Sequence, residues 1–264
     1  MSDPRPIVIV LAAGQGTRMR SALPKVLHEA AGRPLLEHVL RAARSLAPAE
    51  VLVVVGHGAD AVRARFADAG VAFVDQREQR GTGDAVARCA ALARDHGGPV
   101  VVLSGDGPLV TPESLAALLA AQREGGPGMS LLTVEALDAS GLGRVVRDAD
   151  GGVREIVEER DADPGVRALR EVNPGSYAFD DRLWGFLEGL DDDNAAGELY
   201  LTDLVAAYRR NGLPVRAVRV DDETRELVGV NDRGQLARAD RLLRDRLPRR
   251  WLAAGVTMTA PATV

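Results

Sequence analysis

Short runs of β-branched and aliphatic residues alternate with longer helical patterns through the first hundred residues. Ile7 to Leu11, Val51 to Val55, Val71 to Val74 and Val100 to Leu103 read as strands, and Pro34 to Leu46, Ala59 to Phe66 and Gly83 to Ala93 read as helices. Runs such as IVIVL and VLVVV show no polar alternation, as expected of central strands covered on both faces. The alternation predicts an α/β fold: a Rossmann-like, mixed but mainly parallel sheet with helices on both faces. Two helix starts are marked, one by Gly32-Arg33 before Pro34 and one by Thr111 before Pro112 and Glu113. There a cap, or a proline at the first helical position, satisfies or removes orphan amides. Asp106 then falls in a loop just past the carboxyl end of a buried strand, where open α/β sheets place their ligands.

From about Met129 the texture becomes β-rich, with a hairpin expected between Arg144-Val145-Val146 and Val153 to Val157 across the turn Asp148-Ala149-Asp150-Gly151-Gly152. Residues 129–231 read as a subregion added to the same sheet, completing one domain over 1–231. After a strand at Val215 to Val220, a helical pattern places Leu236, Ala239, Leu243, Leu247 and Trp251 on one side. It predicts an exposed linker arm over 232–254, followed by a short stub over 255–264.

Composition narrows the class. The chain has 264 residues, 46% apolar and 27% charged, close to globular averages, and only 3% aromatic, which suits an aliphatic α/β core. A net charge of −5 argues against a broad nucleic-acid footprint without excluding a local basic pocket. No run reaches the roughly 18 apolar residues of a membrane span. The single Cys89 excludes an intrachain disulfide, and no secretory signal opens the chain, so a cytoplasmic setting is expected. The four histidines show no metal-ligand spacing.

The informative segment is Leu11-Ala12-Ala13-Gly14-Gln15-Gly16-Thr17-Arg18-Met19, with Leu23-Pro24-Lys25 a few residues on. Glycines let the backbone approach a phosphate and turn successive N–H groups toward one anion, while Arg18 and Lys25 add fixed positive charge. The Rossmann fingerprint needs Gly or Ala where Met19 stands. The P-loop needs Gly-Lys-Ser/Thr where this chain has Gly16-Thr17-Arg18, so neither motif matches.

Leu-Ala-Ala-Gly-x-Gly-Thr-Arg-Met followed by Pro-Lys resembles the signature of sugar-phosphate nucleotidyltransferases, and Pro24-Lys25-Val26-Leu27-His28 resembles the N-acetylglucosamine-1-phosphate uridylyltransferase half of bacterial GlmU proteins. Further matching blocks follow in the family's order: Gln79 to Gly83, Gly105-Asp106 with Pro108-Leu109, Gly141 to Arg144, Ile156 to Glu158, Glu171 to Asn173, Asn194 to Glu198 with Tyr200 to Asp203, and Gly229-Val230-Asn231. The resemblance implies the nucleotide-diphospho-sugar transferase fold. It also implies a Mg²⁺-dependent enzyme, a UDP-N-acetylglucosamine diphosphorylase, that makes UDP-N-acetylglucosamine and pyrophosphate from UTP and N-acetylglucosamine 1-phosphate for peptidoglycan synthesis. Arg18 and Lys25 are implied to hold phosphates. Asp106 and Asn231 are implied to ligate Mg²⁺, which needs few protein oxygens when phosphates and water supply the rest. Leu11, Ala12, Ala13 and Gly14 match nucleotide-contacting backbone; Gln76, Gly81 and Thr82 match base contacts; Gly143, Glu158 and Asn173 match sugar contacts.

The bland alternatives stand beside these roles. Taken alone, Asp106 is a turn or cap aspartate, Asn231 is a loop asparagine bonding its own backbone, and Gln76 is a polar loop residue with Gln79 as its rival. Glu158 beside Glu159 also fits a solvated acidic face. Ser104 stands where several relatives carry tyrosine, leaving the packing of nucleotide or sugar there open. Other pyrophosphorylases, using dTTP, CTP or another sugar, and a non-catalytic nucleotide-sugar sensor remain as rivals. The family's left-handed β-helix, with its acetyl-CoA-dependent acetyltransferase, has no counterpart in these 264 residues. A homo-oligomer is left open, and neither nucleic acid nor membrane is expected as a partner.

Overall fold

The computed structural model describes residues 5–124, 126–220 and 229–261. Its first half runs β1 (Ile7–Ala12), two short paired strands β2 (Glu29–Ala30) and β3 (Arg33–Pro34), α1 (Leu35–Arg44), β4 (Glu50–Val55), α2 (Ala59–Arg65), β5 (Ala72–Asp75), α3 (Thr82–Ala87), α4 (Ala90–Ala93), β6 (Val100–Ser104) and α5 (Pro112–Arg123). The second half adds β7 (Met129–Glu135), β8 (Arg144–Arg147), β9 (Val153–Val157), α6 (Pro164–Arg167), β10 (Glu171–Val172), β11 (Tyr177–Phe179), α7 (Leu183–Leu187), α8 (Leu204–Arg210), β12 (Val215–Arg219) and α9 (Arg233–Ala253).

The apolar runs become a parallel group ordered β5-β4-β1-β6, and the sheet turns antiparallel beyond β6, where β11 joins β6 to β7. The absence of polar alternation now has its explanation. Ile7, Ile9, Leu52, Val54, Val100 and Val102 point into one core with Val86, Leu204 and Tyr208, while Val8, Val10, Val51, Val53, Val101 and Leu103 point into a second core with Leu36, Val39, Val62 and Leu115. Successive side chains of a strand face opposite ways, so a strand between two helical layers must be apolar at every position. The mixed sheet with helices on both faces is therefore as expected.

Local boundaries differ in two places. Pro34 is the extended residue before α1, with φ −51° and ψ 144°, because Arg33–Pro34 pairs with Glu29–Ala30; the helix begins at Leu35. The pattern over Gly83 to Ala93 is two short helices, broken at Arg88 and Cys89. Thr111 caps α5 as expected, its hydroxyl accepting from Ser114 N at 3.2 Å, a bond that contributes about 1 kcal/mol. The hairpin forms between β8 and β9, with a bulge at Val146/Arg147.

The last helix is an arm over only part of its length. Leu236, Ala239 and Leu243 pack against Ala30, Leu35 and Val230, Asp240 accepts from Ala31 N at 2.7 Å, and Arg233 donates to the Met19 carbonyl at 3.0 Å. Farther along the same stripe, Leu247 and Trp251 are about half exposed, at 51% and 52%. No helix among the described residues is long and apolar enough to cross a membrane.

Candidate active site

Because β5, β4, β1 and β6 are parallel, their carboxyl ends lie along one edge of the sheet, and the loops that leave them are tied together there. Gly105 N donates to Leu11 O at 2.9 Å, His57 N to Ala13 O at 3.2 Å and Gln76 N to Val55 O at 2.8 Å. Between these loops is a cavity of about 350 Å³. Of the residues singled out in the sequence, it is lined by Leu11, Ala12, Ala13, Gly14, Lys25, Gln76, Gly81, Thr82 and Asp106.

Beside it three side chains converge, two of them, Lys25 and Asp106, in its lining. Lys25 Nζ pairs with Asp106 Oδ2 and donates to Asn231 Oδ1 at 3.1 Å. The local sequence permits this approach. Gly16 has φ +62°, and a Cβ there would stand 2.7 Å from Lys25 Cβ; a Cβ on Gly229 would stand 2.6 Å from Asp106 Oδ1. Val230 N donates to Asp106 O at 2.8 Å, Gln235 Oε1 accepts from Asn231 N at 2.7 Å, and Asn231 Nδ2 donates to Gly229 O at 3.3 Å. With its amide nitrogen so engaged, Asn231 has its oxygen for the shared cation. Two hard oxygens thus meet at one positively charged atom beside the cavity, a donor set that suits a magnesium ion completed by phosphates and water.

The residues that the resemblance matched to base contacts are also gathered. Gln76 is buried, and its Nε2 donates to Gly81 O and to Asp84 Oδ2, each at 2.9 Å. Thr82 Oγ1 accepts from Leu201 N at 3.0 Å. Gly81 has φ +106°, and a Cβ there would meet Leu199 O at 2.5 Å. Gln79, the rival to Gln76, lines the same cavity and donates to Ala13 O at 2.7 Å, bracing the glycine loop.

Gly143, Glu158 and Asn173 form a neighboring cluster outside the cavity lining. Asn173 N donates to Gly143 O at 3.0 Å, and a Cβ on Gly143 would stand 3.3 Å from Glu158 Oε1. The Asn173 amide bonds Tyr177 Oη and accepts from Gly175 N at 3.0 Å. Glu158 is not on a solvated face: Oε1 accepts from Thr202 Oγ1 at 3.1 Å, while Glu159 pairs with buried Arg144 at 2.7 Å. Burial raises the Glu158 carboxyl above its ordinary value of 4.5, against the lowering effect of the Thr202 hydrogen bond. For a raised acid, stability is full below the unfolded pKa and declines as pH rises through the folded one. Glu158→Gln, which stays neutral, is expected to flatten that decline; urea unfolding from pH 4 to 8 that keeps the parent's slope would refute it.

Arg18 is placed apart from the others. It is exposed on the turn Thr17–Met19, has no hydrogen-bond or ion-pair partner among the described residues, and does not line the cavity; a Cβ on Gly141 would lie 3.5 Å from its Nη1. Sequence reasoning gives no role to Glu198, which lines the cavity, nor to Asp84 beneath Gln76. The Asn194 to Glu198 block carries a signal for the first. A charged residue inside the apolar pattern after Gly83 carries one for the second.

The family model of the MobA-like NTP transferase domain matches residues 8–170, which include the glycine loop, Lys25, Gln76, Asp106 and Glu158. The chain belongs to the MobA-like NTP transferase family. Among curated members, it is 48% identical over 97% of its length to the bifunctional protein GlmU of a Thermus thermophilus strain, 51% over 96% to that of Halorhodospira halophila, and 48% over 100% to that of Streptomyces avermitilis. The chain spans 56%, 52% and 56% of those relatives, about half their length. The resemblance drawn from the glycine loop therefore holds. A solved Bacillus anthracis structure described as a putative glucose-1-phosphate thymidylyltransferase superposes with TM-score 0.71 at 18% identity, covering 98% of this chain and 99% of that one, and bears out the fold of this MobA-like domain.

Proposed function

We propose that the chain transfers UMP from UTP to N-acetyl-α-D-glucosamine 1-phosphate, giving UDP-N-acetylglucosamine and pyrophosphate in a magnesium-dependent reaction of cell-envelope precursor synthesis. The observation that carries the reading is the meeting of Asp106, Asn231 and Lys25 at the mouth of the glycine loop. The curated relatives, all GlmU proteins, support its finer terms. In the reaction, a phosphate oxygen of the sugar phosphate attacks the α-phosphorus of UTP in line, and the bond from that phosphorus to the β-phosphate oxygen breaks, releasing pyrophosphate. Such a transfer needs alignment and charge stabilization more than a side-chain nucleophile.

Asp106 and Asn231 hold the magnesium, which when bound neutralizes phosphate charge. Lys25 and Arg18 contact the phosphates, and the backbone from Leu11 to Gly14 cradles the nucleotide. Gln76, Gly81 and Thr82 receive the base. Gly143, Glu158 and Asn173 contact the sugar, on the side contributed by residues 129–231. A cytoplasmic location follows from the role in precursor synthesis, and the oligomeric state is left to measurement.

The test is pyrophosphate release from purified protein with Mg²⁺, each of the four NTPs plus dTTP, and a panel of sugar 1-phosphates that includes glucose and N-acetylglucosamine. Release confined to UTP with N-acetylglucosamine 1-phosphate is expected. Release with another pair keeps the class and replaces the substrates, whereas silence from a folded protein favors a non-catalytic nucleotide-sugar sensor.

A further inference from the structure

Behind Gln76, which lines the cavity, lies a carboxylate that the proposed reaction does not use. Asp84 lies in the first turn of α3, 7% exposed, on a helix whose neighboring residues Ala85 and Val86 are core. Its Oδ2 accepts from Gln76 Nε2 at 2.9 Å, and its Oδ1 accepts from Arg88 Nε at 3.2 Å and pairs with Arg88 Nη2 at 3.1 Å. The same Gln76 nitrogen donates to the Gly81 carbonyl at 2.9 Å.

A glutamine amide has two N–H donors on one atom and acceptor lone pairs on the other. Both neighbors of this amide, a peptide carbonyl and a carboxylate held by a guanidinium, are acceptors with no proton to give. Turning the amide by half a revolution would lose two hydrogen bonds and set its oxygen against two others, at a buried site where such losses are largest. The assignment of nitrogen and oxygen is thus dictated by the partners. Gln76 Oε1 accepts no hydrogen bond among the described residues, and Gln76 lines the cavity, so a bare acceptor is what this amide has left for a ligand.

We infer that Asp84, clamped by Arg88, is a positioning residue that holds Gln76 with its N–H groups turned into the protein and its carbonyl oxygen available to the cavity. The pocket then takes a base with a ring N–H at that edge, such as uracil or thymine, and refuses cytosine, whose corresponding ring nitrogen is a bare acceptor. This rests on the reading that the cavity holds the base of a nucleoside triphosphate.

The test compares kcat/KM for UTP and CTP, at saturating sugar phosphate, in the parent and in Asp84→Asn. Asparagine keeps the shape but has one oxygen. With that oxygen on Arg88, its NH₂ faces Gln76 Nε2 and replaces one of the two acceptors that hold the amide, so Gly81 O alone keeps the N–H groups inward and the turned amide, with an N–H in the cavity, becomes populated. The UTP-over-CTP preference is expected to fall by about tenfold or more, through the nucleotide KM, with the sugar-phosphate KM unchanged. In a Gln76→Ala background the same substitution is expected to leave the ratio alone, because its effect passes through Gln76. An unchanged ratio in folded Asp84→Asn, or an equal shift without Gln76, overturns the role.

A second measurement needs no variant. Both side-chain amide protons of Gln76 in isotope-labeled parent protein are expected to exchange slowly with solvent, and exchange at the rate of an exposed glutamine overturns the clamp. A parent chain that releases no pyrophosphate from either nucleotide would remove the base-site reading while slow exchange still reported the clamp.

Discussion

Asp106→Ala is expected to reduce turnover about a thousandfold or more while leaving the chain folded, the scale on which preorganized electrostatic groups contribute to a charged transition state. The proposed role gives this carboxylate the only formal negative charge among the groups meeting at Lys25, so its loss removes both a metal ligand and the counter-charge that places the ammonium. Stability should change far less. Asp106 lies past the end of β6, its side chain is 16% exposed beside an open cavity, and Lys25 keeps Asn231 and solvent, so a cost within about 1–2 kcal/mol is expected. Pyrophosphate release and a thermal melt on the same preparation decide the matter: activity within tenfold of the parent in saturating Mg²⁺ would take Asp106 out of the site.

Lys25→Ala follows with a different signature. In the structure the ammonium is shared by two oxygens, those of Asp106 and Asn231, and the phosphates of a bound substrate would compete with them for it. Removing it should raise the KM for nucleotide and also lower kcat by about a hundredfold, since charge that strengthens in the transition state is lost along with ground-state binding. Lys25→Arg is expected to rescue poorly. The stem is packed against Gly16, where even a Cβ would sit 2.7 Å from Lys25 Cβ, and a planar guanidinium cannot occupy the point between Asp106 and Asn231 as an ammonium does. Unchanged kcat and KM in the alanine variant would exclude Lys25 from phosphate contact.

Much of this is legible in the sequence where a local rule governs the outcome. Ile7 to Leu11 and Val100 to Leu103 read as covered strands, with Asp106 following one, because short β-branched apolar runs between turn signals favor a strand buried on both faces. The meeting of Lys25 with Asn231 is accessible only through the order of matched blocks, since no periodicity links residues 206 positions apart. Asp84 is hidden for a related reason: Asp84 and Arg88 at i and i+4 look like an ordinary surface pair, and only the packed loop shows the aspartate turned under Gln76. On α9 the stripe is visible in the sequence but its covering is not. Leu236 and Leu243 have Ala30 and Leu35 to meet, whereas Leu247 and Trp251 continue the stripe half exposed, although Pro248 between them is buried and Arg246 donates to Leu109 O.

The docking of α9 also orders the events of the chain's birth. Both cores draw on residues that end before α9 begins, so the sheet and its helical layers can close while the ribosome is still adding the last elements. Asn231 is held by Gln235 and stands just before the Asp232 cap, so the oxygen it brings to Lys25 comes into place only when the start of that helix has been made and has found Ala30 and Leu35. A nascent chain of this protein is therefore expected to close its two cores before Asn231 reaches Lys25.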